Sequence, residues 1–131
     1  MFTKIDMTSD LPIYQQLMQN IIRDIAKQEL SSGSQLPSVR TLAAELNVNM
    51  HTVAKAYTLL KDKGFLSVHR NKGAIVNPQS KFAADSEYLA ELKNQLIAYA
   101  TEAACRGVKA GEWISVCNDA YEELYIGSSF M

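Results

Sequence analysis

The stretch LPSVRTLAAELNVNMHTVAKAYTLLKDKGFLSVHRNKGAIV, Leu36–Val76, decides the fold. Its apolar residues change period along its length. Val39, Leu42, Ala43 and Leu46 fall at helical spacing, and so do Val53, Ala56, Tyr57 and Leu60 farther on. Phe65, Leu66 and Val68 then lead into a strand, and Ala74-Ile75-Val76 returns from it. Ser38 suits the N-cap of the first helix, because its hydroxyl can accept an orphan backbone N–H. Asn47 suits the left-handed residue that closes that helix, with Val48 plugging the corner. Asn49 can cap the second helix, expected from Met50 to Lys63, and Gly64 is placed to stop it. Arg70-Asn71-Lys72-Gly73 should turn the hairpin. Small residues at Ala43 and Ala56 allow the two helices to cross closely, as a two-helix DNA-reading unit requires.

Upstream, MFTKIDMTSDLP reads as an extended arm in which Phe2 and Ile5 can pack on the domain. Ser9 or Asp10 can cap the next helix, with Pro12 in its first turn. Ile13, Leu17, Ile21, Ile25 and Leu30 carry that helix to about Leu30, where Ser31-Ser32-Gly33-Ser34 forms a turn cluster. Pro78 closes the domain, and residues 79–84 read as a linker. From Asp85, a good N-cap, a long helix runs to Arg106 with Gly107 as its stop. A turn through Lys109-Ala110-Gly111 leads to a last helix. These two helices carry Tyr88, Leu89, Leu92, Leu96, Tyr99, Trp113, Cys117, Tyr121 and Leu124. A pair this short cannot bury two apolar stripes by itself, and an identical pair is the simplest partner. The expected architecture is mainly α with a small β-hairpin. A winged helix-turn-helix over 1–78 precedes a two-helix dimerisation hairpin over 85–131.

Charge divides along the same line. The 131 residues carry a net charge of −1, but Met1–Pro78 holds nine Lys and Arg against six Asp and Glu, a net of +3. The remainder holds four against eight, a net of −4. A basic front and an acidic rear suit a protein presenting one face to a polyanion. Cys105 and Cys117 lack metal or redox spacing. No apolar run approaches the roughly 18 residues of a membrane span, and no signal-peptide pattern opens the chain, so a cytoplasmic protein with no membrane partner is expected. Nothing offers a nucleophile–base pair or a metal cluster, which argues against an enzyme and against a cofactor or metal.

LPSVRTLAAEL, VNMHTVAKAYTLLKDKGFL, HRNKGAIV and, upstream, PIYQQL together resemble the GntR family of bacterial transcription regulators, over about Pro12 to Val76. The short two-helix tail is similar to that of the YtrA subfamily, in which it serves for dimerisation. The resemblance implies a homodimeric regulator, acting as a repressor on a double-stranded inverted-repeat operator, with control of a transporter operon as a further implication. Carried over by position, it implies that Ser38 and Arg40 meet the DNA backbone. Asn49, Met50, His51 and Thr52 would enter the major groove with Lys55. The wing, His69, Arg70, Asn71, Lys72 and Gly73, would lie along an adjacent groove. Met50 and Ala54 stand where some branches use arginine, and Asn71 where a wing glycine is common.

Each of these residues has a plainer reading. Arg40 can form a surface ion pair with Glu45 or Asp62, and Lys55 can be a solvated lysine. His51 can be an exposed surface residue or a metal ligand. Arg70 and Lys72 can protect an edge hairpin from aggregation. Tyr88, Tyr99, Trp113 and Tyr121 can line an effector pocket instead of a dimer core, and the cysteines can sense oxidation. The competing function is a winged-helix protein-interaction module without specific DNA binding.

Overall fold

The computed structural model describes residues 4–69 and 73–125. Five helices and one antiparallel hairpin follow in order: α1 Ile13–Ala26, α2 Val39–Leu46, α3 Met50–Asp62, β1 Leu66–His69, β2 Gly73–Val76, α4 Ser86–Cys105 and α5 Ala110–Glu123. The chain divides into two compact units, Met1–Ala83 and Ala84–Met131.

In the first unit α1 packs on α3, α2 on α3, and α3 on β1. The core draws on all of them: Leu17 and Ile21 from α1, Leu42 from α2, Val53 and Leu60 from α3, and Leu66 from β1 are essentially free of solvent. Burying each such side chain is worth about 1.5–3 kcal/mol. Val53, Ala56, Tyr57 and Leu60 form the buried face of α3, as their spacing predicts.

Local chemistry sets the helix ends. The Ser38 hydroxyl accepts the Thr41 N–H at 3.1 Å, and Asn47 closes α2 with φ 56°. The Asn49 Oδ1 accepts the His51 N–H at 2.7 Å to start α3, which ends before Gly64 at φ 90°. Asp85 caps α4 through the Tyr88 N–H at 2.7 Å.

The start and end of α1 differ from expectation. Pro12 itself is the N-cap and no side chain caps the helix, since Ser9 is spent on the Leu11 N–H at 3.1 Å. The helix stops at Ala26, four residues short of Leu30. Gln28 takes φ 61°, and the Asp24 carbonyl accepts the N–H groups of both Glu29 and Leu30. This turn folds Leu30 back into the core, where it is buried although it lies outside the helix. The arm before α1 is held by the buried Gln16, whose amide accepts the Asp6 N–H and donates to the carbonyls of Asp6 and Leu11. Ile5 packs on the core, while Phe2 lies outside the described residues.

The hairpin pairs Leu66 with Val76 and His69 with Gly73. Gly73 therefore opens β2 instead of belonging to the turn, at φ 69°. The outer edge of β2 is also occupied. Gln35 bridges to Ile75, the Leu36 N–H donates to the Ala74 carbonyl at 2.8 Å, and the Val76 N–H donates to Ser34 at 2.9 Å. Backbone from the α1–α2 loop thus satisfies an edge that the sequence leaves open.

The stretch after Pro78 carries structure of its own. Gln79–Lys81 form a single 3-10 turn, and the Phe82 ring lies 4.8 Å from that of Phe65.

In the second unit Gly107, at φ 87°, ends α4. The last helix begins earlier than expected: Ala110 and Gly111 are helical, with Lys109 as N-cap and the Lys109 N–H donating to Glu112 Oε1 at 3.2 Å. No residue described in α4 or α5 is buried. Tyr88, Leu89, Leu92, Leu96, Tyr99, Ile114 and Tyr121 all face solvent in the single chain, Tyr99 being 71% exposed. Trp113 and Leu124 are half-buried, and Cys105 and Cys117 are exposed.

Candidate nucleic-acid interface

The N-terminal ends of α2 and α3 form the candidate site. Neither helix has an acidic residue in its first turn. The positive ends of both dipoles are therefore not neutralised by carboxylates of their own helix. By contrast, α4 and α5 carry Glu87 and Glu112 in that position. Such acid-free helix ends suit phosphate oxygens.

Val39, at the start of α2, joins Asn49, Met50, His51 and Ala54 of α3 in lining one open depression. Met50 is 45% exposed, His51 and Asn49 are exposed, and Thr52 is half-buried. The first turn of α3 thus presents side chains outward while the opposite face is buried in the core. Asn49 commits only its Oδ1 to the cap, which leaves its amide group as a donor toward a ligand. Ser38 is spent more fully: besides accepting from the Thr41 backbone, its hydroxyl donates to Thr41 Oγ1 at 2.9 Å.

Arg40 is exposed at the start of α2. Among the described residues the ion pairs are Lys27–Glu29 and Arg106–Glu102, so Arg40 is bound to neither Glu45 nor Asp62. Lys55 is exposed one turn into α3, with its ammonium 4.0 Å from the centre of the Tyr14 ring. This contact reaches from α1 to α3 and was not legible in the sequence, because the two residues are 41 positions apart in different helices. The only available signal was the tyrosine in PIYQQL, a position that helical periodicity alone leaves unassigned.

In the wing, His69 is exposed at the end of β1 and Gly73 stands opposite it. Arg70, Asn71 and Lys72 lie outside the described residues. Among the described residues no group of His, Cys, Asp and Glu is arranged to hold a metal ion, and no helix is long and apolar enough to cross a membrane.

Tyr57 fixes the site from beneath. Its hydroxyl donates to the Pro37 carbonyl at 2.7 Å, which ties α3 to the residues leading into α2. Burial, with the Glu45 charge adding to it, pushes the phenol well above its ordinary range, so it remains a donor at any physiological pH.

Residues 13–76 match the family model of bacterial regulatory proteins of the gntR family. The transcriptional repressor YtrA of Bacillus subtilis is 33% identical over 114 residues, covering 85% of this chain and 88% of the repressor. The chain belongs to the GntR family. It is a DNA-binding transcription regulator of the winged helix-turn-helix kind, with two further helices after the wing. Among solved structures, a transcriptional antiterminator from Listeria monocytogenes superposes with a TM-score of 0.84 at 27% identity, covering 92% of this chain and 90% of the other. The YtrA protein of Sulfolobus acidocaldarius, a GntR-family transcription factor, superposes with a TM-score of 0.61 at 39% identity, covering 79% of this chain and 99% of that one. The DNA-binding domain of AraR, solved in complex with its operator ORX1, matches 56% of this chain and 90% of its own length, at 25% identity and a TM-score of 0.50.

Proposed function

We propose that this GntR-family regulator represses transcription as a homodimer bound to an inverted-repeat operator. The observation that carries the reading is the two-sided character of α3. Val53, Ala56, Tyr57 and Leu60 are buried, while Asn49, Met50, His51 and Lys55 face outward beside acid-free helix ends. A helix held this way can enter a major groove without disturbing its packing.

In this reading Arg40 and Lys55 meet phosphates, the Ser38 hydroxyl exchanges its bond to Thr41 Oγ1 for one to a phosphate, and Arg40 also reaches a base edge. Asn49, Met50, His51 and Thr52 read base edges, and the segment His69 to Gly73 lies along an adjacent groove. The operator complex of the AraR domain and the repressor activity named for YtrA support the class of function by relationship. The exposed apolar side chains of α4 and α5, from Tyr88 to Tyr121, supply the dimer contact in this reading, since a single chain leaves them in water. Two-fold symmetry then calls for half-sites about one helical turn, roughly 34–36 Å, apart.

Arg40→Ala tests the reading at an exposed cation of the site. It should weaken operator binding by about 1–3 kcal/mol in a gel-shift titration, and unchanged binding would remove Arg40 from the interface. Removing 85–131 tests the dimer: sedimentation should find a monomer, and a truncated chain that still dimerises would refute the assignment to α4 and α5.

A further inference from the structure

We infer that Tyr14 of α1 is a positioning residue for DNA binding, holding the Lys55 ammonium ready for a backbone phosphate. The inference rests on the reading of Lys55 as a phosphate contact and extends it to a helix outside the two-helix reader.

Four observations carry it. The Lys55 Nζ lies 4.0 Å from the centre of the Tyr14 ring, within the range at which a ring's quadrupole attracts a cation. Among the described residues no carboxylate pairs with Lys55, so the ring is the group that orders it. Lys55 is exposed while Tyr14 is half-buried, so the ring is fixed by packing and the cation on it remains open to solvent. The Tyr14 hydroxyl accepts a hydrogen bond from the Gln15 amide at 3.2 Å, at the ring's edge and away from the π face.

The physical consequence concerns entropy. A lysine has a long flexible stem and normally loses many rotamers when it grips a phosphate. A ring covering one side of the ammonium restricts those rotamers in the free protein. It leaves N–H donors on the other side, because the ammonium carries three. The cost of ordering is then met during folding, and less of it falls on DNA binding. Because α1 packs on α3 through the core, the ring and the lysine keep their register.

The test uses the full chain and a fluorescent duplex of fixed sequence, chosen by the wild-type protein from a random pool, titrated across a salt series. Lys55→Ala should weaken binding and reduce the slope of log affinity against log salt by about 1.8 for a bound dimer, the loss of one phosphate contact from each subunit. Tyr14→Leu should weaken binding about two- to fivefold, and Tyr14→Phe should retain the wild-type affinity because it keeps the ring. In the Lys55→Ala background, Tyr14→Leu should have no further effect. Should Tyr14→Leu fold poorly, Tyr14→Met preserves apolar bulk without the ring and should behave in the same way. The Lys55 ε-methylene protons in the free protein should show an upfield ring-current shift that survives Tyr14→Phe and vanishes with Tyr14→Met.

An equal loss from the Tyr14 substitution with and without Lys55 would overturn the positioning role and leave the Lys55 contact standing. Unchanged affinity and salt slope in Lys55→Ala would overturn the phosphate contact itself, and the inference with it.

Discussion

The Tyr57 hydroxyl and the Pro37 carbonyl meet at 2.7 Å, joining the middle of α3 to the chain just before α2. The two helices of the reader are therefore held by packing and by one directional bond. Tyr57→Phe keeps the buried ring but leaves the carbonyl without this donor. The expected loss is about 1 kcal/mol, or roughly 4–8 °C in thermal midpoint for a domain of this size. An unchanged midpoint by calorimetry would mean that water replaces the hydroxyl at no cost.

Asn49 is expected to separate folding from DNA binding. Its Oδ1 caps α3, and the residue lines the candidate interface. Asn49→Ala removes both functions and should lower stability by about 1 kcal/mol. Asn49→Asp keeps the cap and places a negative charge at a helix N-terminus, which favours the fold. The same charge repels phosphate. Asn49→Asp should therefore melt at or above the wild-type temperature and yet bind DNA more weakly, measured by melting and anisotropy on one preparation. A variant that binds DNA as well as wild type would place Asn49 away from the phosphates.

What the sequence made legible, and what it concealed, follows one physical division. Ser38, Asn47, Asn49, Asp85 and Gly64 act through bonds or dihedrals within a few residues, and all take the roles that their types predict. The apolar face of α3 was equally readable, since a helix repeats its own period. The end of α1 was hidden because Leu30 is buried like a helical residue although a left-handed Gln28 has already broken the helix. Few non-glycine residues adopt that conformation, and the conspicuous Ser31–Ser34 turn cluster lies just beyond it. Ala110 and Gly111 read as a turn by composition, yet Glu112 reaching back to the Lys109 N–H starts the helix ahead of them. Contacts between distant elements left no local trace. These include Tyr14 with Lys55, Gln35 with Ile75 and Phe65 with Phe82.

Two glycines, one in the α1–α2 loop and one at the end of α3, meet different surroundings. Gly33 and Gly64 have almost the same φ, 87° and 90°. A Cβ at Gly33 would meet nothing within 4 Å, whereas one at Gly64 would lie 2.8 Å from the Lys81 carbonyl oxygen. Gly33→Ala should cost about 1 kcal/mol from the left-handed conformation alone. Gly64→Ala must also displace the 3-10 turn and should cost clearly more. Equal losses in parallel denaturant titrations would show that Gln79–Lys81 does not press on the end of α3.

Asp24 sets a pH dependence of stability. It is 6% exposed, its Oδ2 has no hydrogen-bond partner among the described residues, and burial, with the Glu29 charge adding to it, raises its carboxyl above the ordinary 3.8. The folded protein therefore holds this proton more tightly than the unfolded chain does. Stability from this group is fully present below 3.8, falls as pH rises from there through the raised value, and then levels. Asp24→Asn removes the titration. The midpoint of the variant relative to wild type should rise between acid and neutral pH, and a difference constant across that range would contradict the assignment.

In the proposed reading the exposed face of α3, doubled by a second copy of the chain, reads a two-fold symmetric DNA site. Selection of duplexes from a random library by the full chain, followed by sequencing, tests it most directly. Inverted repeats with half-sites about one helical turn apart should be enriched, an enrichment lost with Arg40→Ala and altered in base preference with His51→Ala. Enrichment of single half-sites, or retention of DNA without regard to sequence, would contradict it.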